Sequence, residues 1–302
     1  MASMMKDYER EERRKEFVDP VALVKDSGAV DTTLREAVGL LGGFRGLQDP
    51  VLIKPNLCTG VDVTGVATTK VDIVDALVRL VLEEDEGLSV RIVESDSESK
   101  FVDNAFAKLG YHTLAERFRE QGSDVSLINL SHEPLVTVDF NGSYFKRPTL
   151  PKILTAGGSF LSLAVAKTHS LTLVTGAMKN LFGVLPRKDQ SVYHPSINDV
   201  IVDLNRLLTP DFSIVDARTG LEGVLRGRTR AVNTLIVGRK PVSVDAAMAR
   251  AMGFHPERIR HLVMAERHGL GTLSPHCVGE SLDSIRVPFK TPSNLSSTAL
   301  IN

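Results

Sequence analysis

The feature of this sequence that most constrains its fold is the order in which helical and strand patterns follow each other over the first 130 residues. Apolar residues recur at helical spacing in 21–41, 71–83, 102–109 and 113–120. Short apolar runs, which are typical of strands buried on both faces, lie at 50–54, 89–93 and 124–130. Helices that alternate with such strands indicate a parallel sheet covered by helices. We therefore predict an α/β fold with a mostly parallel sheet and helices on both of its faces.

The middle of the chain interrupts this alternation. Residues 135–146 alternate in polarity around Asn141-Gly142, a dipeptide typical of tight hairpin turns, and predict a β-rich insertion near 131–160. Strand patterns then follow at 160–166, 212–216, 233–237 and near 284–287, and helical patterns at 197–208, 243–252 and 256–268. We expect a single α/β domain over 21–290, between a charged, disordered tail of residues 1–20 and a disordered tail of residues 291–302.

Composition argues against several classes of partner. The 302-residue chain has a net charge of −1, no Trp and only 5% aromatic residues, so neither a positive field nor aromatic stacking favours nucleic acid. No run of about 18 apolar residues predicts a membrane span, and the N-terminus lacks the apolar stretch of a secretory signal. Cys58 and Cys277 are too few to ligate an iron–sulfur cluster. A reducing, cytoplasmic location is expected.

Polar residues directly follow several of the predicted strands. Ligands of parallel α/β sheets bind beyond the carboxyl ends of the strands, so these residues predict one cleft. A lysine that abuts a buried strand lies near a low dielectric and needs an anionic partner, which makes Lys54 and Lys167 candidate anchors for a small anionic ligand. The other strand-end candidates for ligand binding are Asn56, Glu94 and Asp216. For Glu94 and Asp216 an ordinary polar strand end is the alternative.

The segment 165–194 concentrates the side chains that are suited to catalysis. Its cations and histidines are interrupted by glycines and by Pro186, which is typical of loops and helix ends that line a site. We predict His169, Lys179 and His194 as the catalytic set, in which the imidazoles take up and return a proton while the cation holds a substrate carboxylate. His169 and His194 are also candidate metal ligands, although further ligands at short spacing are missing. A hydrogen-bonded pair of histidines is the other interpretation.

Several neighbouring residues have weaker signals. Asn180 follows Lys179 and is predicted to bind the ligand, while Gly176 either lets backbone amides approach an anion or forms a turn before a helix. Glu222 is predicted to bind the ligand from a glycine- and arginine-rich loop, which either closes over the site or is only mobile. Cys58 is interpreted as a small buried hydrophobe, because no basic residue adjoins it in sequence. His261 is interpreted as a surface residue.

The chain resembles the uncharacterised family called domain of unknown function 362. The matching motifs are Lys54-Pro55-Asn56-Leu57, Glu94-Ser95, Ala166-Lys167-Thr168-His169, 175–183, His194, Asp203-Leu204-Asn205, Ile214-Val215-Asp216, Glu222-Gly223, Val244-Asp245-Ala246 and Met252-Gly253. The chain departs from the family at Pro186-Arg187 and at Val224-Leu225. Many members carry a ferredoxin-like cysteine cluster that this chain lacks, so the resemblance implies no cluster here.

The order His169, Lys179, His194 is also faintly similar to the nickel-dependent lactate racemase family. In that family the lysine anchors a nickel-pincer nucleotide, the later histidine ligates nickel, and the earlier one moves the proton or hydride. Gly176-Ala177-Met178 departs from the Gly-Gly-Arg that precedes the racemase lysine. The resemblance implies a shared architecture and leaves the cofactor open.

Two functions are compatible with these observations. The first is an enzyme that uses acid–base or cofactor-assisted chemistry on a small anionic substrate. The second is a ligand-binding or redox-accessory protein without catalysis of its own, working with an iron–sulfur partner. The sequence leaves the substrate, the cofactor and the oligomeric state open.

Overall fold

The computed structural model of the chain describes residues 20–301, so the predicted tail over 1–20 lies outside the described residues except for Pro20. The first half contains β1 (Val21–Lys25), α1 (Val30–Gly39), β2 (Val51–Pro55), α2 (Val71–Glu84), β3 (Val90–Glu94), α3 (Val102–Lys108), α4 (Tyr111–Glu120), β4 (Val125–Asn129), β5 (Leu135–Thr137) and β6 (Thr149–Pro151). The second half contains β7 (Ser159–His169), β8 (Leu173–Thr175), α5 (Ala177–Asn180), α6 (Ile197–Leu207), β9 (Phe212–Glu222), β10 (Arg228–Arg230), β11 (Thr234–Gly238), α7 (Pro241–Ala251), α8 (Arg260–Glu266) and β12 (Cys277–Gly279).

Ten of the strands within residues 20–301 form one sheet, in which eight follow the order β12-β1-β11-β9-β7-β2-β3-β4 while β8 pairs with β7 and β10 with β9. The neighbours from β9 to β4 are all parallel, whereas β11 is antiparallel to both β1 and β9. The prediction of an α/β fold with a mostly parallel sheet is confirmed. The carboxyl ends of β2, β3 and β7 consequently lie side by side at one edge.

Helices cover both faces of the sheet because successive side chains of a strand point to opposite sides. In β2, Val51 and Ile53 pack in a core with residues of α1 to α4. Leu52, between them, packs in a second core with residues of α5 to α8. The first four helices therefore cover one face and the last four the other. The strands of the centre have to be apolar throughout, which is why they read as continuous apolar runs.

Two predicted elements are wrong. Residues 21–41 are not one helix, because Val21–Lys25 is the strand β1 and the helix begins at Val30, after Gly28 with a φ of 85°. The segment pairs with β11 on one side and with β12 on the other, and its first four residues are buried. Residues 284–287 form no strand either, and the C-terminal strand is β12, which pairs with β1.

The insertion near 131–160 forms a separate small sheet, in which β5 pairs with β6. Its turn is wider than a two-residue hairpin, since Asn141 bridges to Lys146. The carboxylate of Asp203 in α6 holds this turn by accepting hydrogen bonds of 3.1, 2.8 and 2.9 Å from the backbone amides of Ser143, Tyr144 and Phe145. A side chain at Gly142 would overlap the Asp203 carboxylate. The turn sequence is therefore matched to a partner about sixty residues away.

The predicted disorder of residues 291–302 is wrong for 291–301, which pack against the rest of the chain. Ala299 is fully buried, and its carbonyl oxygen accepts a hydrogen bond of 3.0 Å from the backbone of Arg260. The amide of Ser296 donates to the carbonyl oxygen of Ser170 at 2.7 Å. Composition alone suggested disorder, but backbone pairing with distant segments depends little on composition.

Candidate functional site

A cavity of about 270 Å³ lies over the carboxyl ends of β2, β3 and β7. It brings together eight of the ten predicted site residues, namely Lys54, Asn56, Glu94, Lys167, His169, Lys179, Asn180 and His194. The same cavity is lined by Cys58, Glu98, Lys100, Thr175 and Phe182, which the sequence did not assign to the site. The strand-end argument predicted that several of these side chains lie together, because parallel strands place their last residues at one edge.

Lys54, Glu94 and Lys100 form a buried cluster of charges on one side of the cavity. Lys54 Nζ donates to Glu94 Oε2 at 2.8 Å and to the carbonyl oxygen of Pro55 at 2.9 Å, and both charged side chains are at most 2% exposed. Lys100 Nζ lies 3.7 Å from Glu94 Oε1 and donates to the carbonyl oxygen of Ser95 at 2.6 Å. Burial lowers the pKa of Lys54, against the opposing effect of the Glu94 charge.

Backbone amides complete the environment of Glu94. Its oxygens accept hydrogen bonds of 3.2 and 3.0 Å from the amides of Leu57 and Ser95. Gly183 packs directly over the pair, since a Cβ there would lie 2.7 Å from Glu94 Oε1 and 2.8 Å from Lys54 Nζ. Glu94 is thus held in one position by strand ends and loops that belong to three separate parts of the chain.

Lys167 has a separate set of hydrogen-bond acceptors. Its Nζ donates to Asn56 Oδ1 and to the carbonyl oxygen of Ala67, both at 2.7 Å, and lies 3.3 Å from Cys58 Sγ. The interpretation of Cys58 as a hydrophobe without a basic neighbour is wrong, because the neighbour comes from β7, 109 residues away. No acidic side chain among residues 20–301 pairs with the ammonium group of Lys167.

Asn180 connects the ends of two strands. Its Nδ2 donates to the carbonyl oxygen of Lys54 at 2.9 Å and to Ser162 Oγ at 3.1 Å, and its Oδ1 accepts from Asn56 Nδ2 at 3.2 Å. Both N–H groups of this amide are therefore used within the protein. Asn180 positions β2 against β7 and aligns Asn56 with Lys167.

Lys179 differs from the other three lysines of the cavity. Within residues 20–301 its Nζ has no hydrogen-bond acceptor and no acidic partner, and its contact is with the ring of Phe182, 5.0 Å from the centroid. Burial, together with the charge of Lys167, lowers the pKa of Lys179 to about 8. Lys179 is half-buried, so water solvates its ammonium group only in part, and a charge without a partner there is electrostatically unfavourable.

The two histidines lie on the same cavity as Lys179. His169 Nδ1 accepts a hydrogen bond of 3.1 Å from the amide of Leu171, so a neutral His169 carries its proton on Nε2. Burial lowers the pKa of His169 well below 6.5, and the charge of Lys179 lowers it further. Burial and Lys179 also lower the pKa of His194. Both imidazoles are neutral at pH 7 and are able to accept a proton.

Aromatic rings connect the insertion to this part of the site. The Phe182 ring, which lines the cavity, lies 6.3 Å from the His194 ring with 24° between their planes. Tyr193 packs against Phe182 on one side and against Tyr144 of the hairpin turn on the other, with centroid distances of 6.0 and 5.9 Å. The hairpin therefore supports the segment that carries His194.

The start of α5 is not available to an anionic ligand. Asp245 of α7 accepts hydrogen bonds of 2.7 and 3.0 Å from the amides of Ala177 and Met178. A side chain at Gly176 would overlap this carboxylate, so glycine is required for the close approach. Burial raises the pKa of Asp245 to about 7, against the opposing effect of the two amides. Of the two interpretations of Gly176, the turn before a helix is the correct one.

Asp216 and Glu222 lie outside the cavity, contrary to prediction. In β9, Asp216 lies two residues after Ile214 and four after Phe212, so its side chain points to the same face, toward the helices α1 to α4. It forms an ion pair with Arg218 at 2.8 Å. Glu222 accepts a hydrogen bond of 3.0 Å from the amide of Lys290 and lines a neighbouring cavity of about 460 Å³. The two cavities share His169 and Val224 as lining residues.

His261 is fully buried, so its interpretation as a surface residue is wrong. Neither ring nitrogen has a hydrogen-bond partner within residues 20–301, and burial lowers the pKa of His261 to about 3. The helix α8 turns this residue toward the core, where Leu262 and Ala265 are also buried. Its position on the same helical face as Leu262 and Ala265 was the sequence signal that indicates a buried residue here.

The described part of the chain contains no group of three His, Cys, Asp or Glu side chains arranged to hold a metal ion. His169 and His194 share the cavity without such a third ligand. None of the helices within residues 20–301 is long and apolar enough to cross a membrane.

Comparison with known proteins places these features in a family. Residues 51–250 match the family described as Domain of unknown function (DUF362). A thylakoid-associated protein of Synechocystis sp. is 26% identical over 248 residues, which are 79% of this chain and 74% of that protein. The apoprotein structure of lactate racemase from Thermoanaerobacterium thermosaccharolyticum is similar with a TM-score of 0.48 and 10% identity, over 74% of this chain and 54% of the racemase. The chain thus spans about half of the racemase. Because the family match extends over most of its length, the chain belongs to the DUF362 family.

Proposed function

We propose that this member of the DUF362 family is an enzyme that binds a small carboxylate in the cavity and transfers a proton on it. The observation that carries the proposal is Lys179, whose ammonium group has no acidic partner or hydrogen-bond acceptor within residues 20–301. Lys54, Lys100 and Lys167 each have acceptors within the protein. A ligand carboxylate would supply the partner that Lys179 lacks.

The charges around the cavity favour an anion. Four lysines line it against two glutamates, Glu94 and Glu98. A ligand carboxylate would receive charge-assisted hydrogen bonds, which are about twice as strong as those between neutral groups. The cavity of about 270 Å³ is at the small end of ligand sites, which commonly measure roughly 300–1,000 Å³. The proposed substrate is therefore a small metabolite rather than a polymer.

The histidines supply the proposed acid–base chemistry. His169 and His194 are neutral at pH 7, because burial and the neighbouring Lys179 lower the pKa of each. A neutral imidazole is able to remove a proton from the carbon next to a substrate carboxylate and to return it. The cation at Lys179 would stabilise the negative charge that develops on the substrate in this step.

Ligand-induced stabilisation and hydrogen exchange test the proposal together. Thermal unfolding is followed with acetate, lactate, pyruvate and malate, and deuterium uptake next to the carboxylate is followed by NMR in D₂O. A carboxylate at about 100 times its Kd stabilises the folded state by roughly 2.7 kcal/mol, which raises Tm by about 5 °C. We expect Lys179→Met to abolish the rise and His169→Gln to abolish deuterium uptake.

The matched control is Lys188→Met, since Lys188 is exposed over the ring of Phe101 and does not line the cavity. This variant should respond to carboxylates as the unmodified chain does. Binding without deuterium uptake would favour the non-catalytic alternative. If no carboxylate raises the Tm of the unmodified chain, the proposal is wrong.

A further inference from the structure

We infer that Lys179 is a nucleophile, and that the substrate is an oxo acid whose carbonyl carbon it attacks to form an imine. The inference rests on the proposed function and specifies its substrate class. It assigns to Lys179 a covalent role in addition to that of the cation that first attracts the carboxylate.

The first observation is the difference between Lys179 and the other lysines of the cavity. An ammonium group has three N–H donors and no acceptor. Lys54 and Lys167 each donate at least two of these to acceptors of the protein, and Lys100 donates to Ser95 beside Glu94. The described residues offer Lys179 only the Phe182 ring, whose attraction for an ammonium group is weak compared with that of a buried acidic partner. The surroundings of Lys179 thus accept the uncharged form that a nucleophile requires.

The second observation is an unsatisfied hydroxyl group in the same cavity. Thr175 is 4% exposed, lines the cavity, and its Oγ1 has no hydrogen-bond partner within residues 20–301. It lies opposite Lys167 in the pairing of β8 with β7, at the start of the turn that leads to Lys179. A buried hydroxyl without a partner is rare in folded proteins and indicates a missing polar group. The oxygen of a bound carbonyl compound would be such a group.

The charges of the neighbours support this role. Burial and the charge of Lys167 lower the pKa of Lys179 to about 8. At pH 7.5 about a quarter of such lysines are neutral, compared with roughly one in a thousand at the ordinary pKa of about 10.4. Lysines that are desolvated beside another cation are activated in this way for imine formation.

The proposed reaction balances without an oxidant or reductant. The neutral amine of Lys179 forms a bond to the carbonyl carbon, and the electrons of the C=O π bond move to oxygen. One imidazole, His169 or His194, moves a proton from the nitrogen to this oxygen and so forms a carbinolamine. A second proton, which the ammonium group of Lys179 gave to an imidazole when it became neutral, passes to the new hydroxyl group. This group leaves as water while the nitrogen lone pair forms the C=N bond, and the nitrogen keeps its remaining proton. The protonated imine then withdraws electrons from the adjacent carbon and eases its loss of a proton. This step connects the imine to the proposed proton transfer.

Once the nitrogen of Lys179 is part of the imine, the ligand carboxylate would be held by two other lysines of the cavity. Lys54 Nζ has acceptors for two of its three N–H groups among the described residues, in Pro55 and Glu94. Lys100 donates to Ser95, at 3.7 Å from Glu94, and lines the same cavity. Each retains a donor for a carboxylate. The substrate would therefore extend from Lys179 toward these two lysines.

Trapping with borohydride tests the inference. The full chain is incubated at pH 7.5 with glyoxylate, pyruvate or acetoacetate, reduced with sodium borohydride, digested and analysed by peptide mass spectrometry. We expect a reduced adduct on Lys179 that forms at least tenfold faster than one on Lys188. Lys179→Arg keeps the positive charge but removes the nucleophile, and should lose the adduct while acetate still raises its Tm.

Labelling of the unmodified chain tests for the imine even if the variants fail to fold. If none of the three oxo acids modifies Lys179 faster than Lys188, the imine is refuted. If acetate nevertheless raises the Tm of that chain, the proposed carboxylate site is retained and only the imine is rejected. If acetate has no effect and Lys179 is not modified, both proposals fail.

Discussion

The buried pair of Lys54 and Glu94 allows a quantitative prediction about the site. Glu94→Gln keeps the shape of the side chain but removes the charge that faces Lys54 at 2.8 Å. Both side chains of the pair are at most 2% exposed, so Lys54 would remain buried. It would lie beside Lys100 and have no acidic partner. Removing one partner of a buried ion pair costs about 3–5 kcal/mol. We expect a loss near 3 kcal/mol in the free energy of unfolding, because Gln still accepts one amide hydrogen bond.

Lys54→Met should be less harmful than Glu94→Gln. The remaining carboxylate keeps the amides of Leu57 and Ser95 and the charge of Lys100, so we expect a cost of about 2 kcal/mol. The double variant removes both charges of the pair and leaves only Lys100 without its acidic neighbour. Its loss should therefore be smaller than the sum of the single losses by about 2 kcal/mol or more.

Equilibrium unfolding in urea measures the free energy of unfolding of the unmodified chain, the two single variants and the double variant. The control is Glu83→Gln, because Glu83 accepts a hydrogen bond of 3.0 Å from Arg35 in an exposed pair. Exposed ion pairs contribute about 0–1 kcal/mol, so this variant should lose less than 1 kcal/mol. The reasoning is refuted if Glu94→Gln is no more destabilising than Glu83→Gln, or if the Lys54 and Glu94 losses simply add.

Two further predictions concern the supports of the site. Asp203→Ala leaves three amides of the hairpin turn without an acceptor. The free energy of unfolding should therefore fall by about 2–4 kcal/mol, and amide hydrogen exchange at residues 143–145 should accelerate. Unchanged exchange at these amides would contradict this prediction. Asp245 has a pKa of about 7 in the folded chain, above the ordinary value near 3.9, so between pH 4 and 7 the folded chain keeps a proton that the unfolded chain releases. The unmodified chain should therefore lose stability relative to Asp245→Asn as the pH rises through this window, by roughly 3 kcal/mol; a difference that is the same at pH 4.5 and pH 8 would disprove it.

The sequence was informative about the site wherever local patterns and parallel pairing act together. Lys54, Glu94 and Lys167 were predictable because each follows an apolar run, and parallel strands bring their carboxyl ends to one edge. Lys100 was missed because it reaches the cavity through a turn that bridges Ser97 to Lys100. Cys58 was misjudged because its basic neighbour is adjacent in space and not in sequence.

Asp216 shows the limit of the strand-end argument. It follows an apolar run as Lys54 does, but its side chain lies on the opposite face of the sheet. The face depends on register: one residue more or less reverses every side chain of a strand. Register is determined by pairing with β7 and β11, which sequence patterns alone do not reveal.

The amino-acid sequence by itself determined the alternation of helix and strand and the set of strand-end lysines, because both depend on short-range spacing and on which residues must be buried. Only the tertiary structure decided that Lys179 lacks a partner while Lys54 and Lys167 have theirs. Partners such as Glu94 and Asn56 come from strand ends far apart in the chain. The difference between an ordinary buried lysine and a candidate nucleophile therefore depends on burial and on neighbouring charge, both of which arise when these segments pack together.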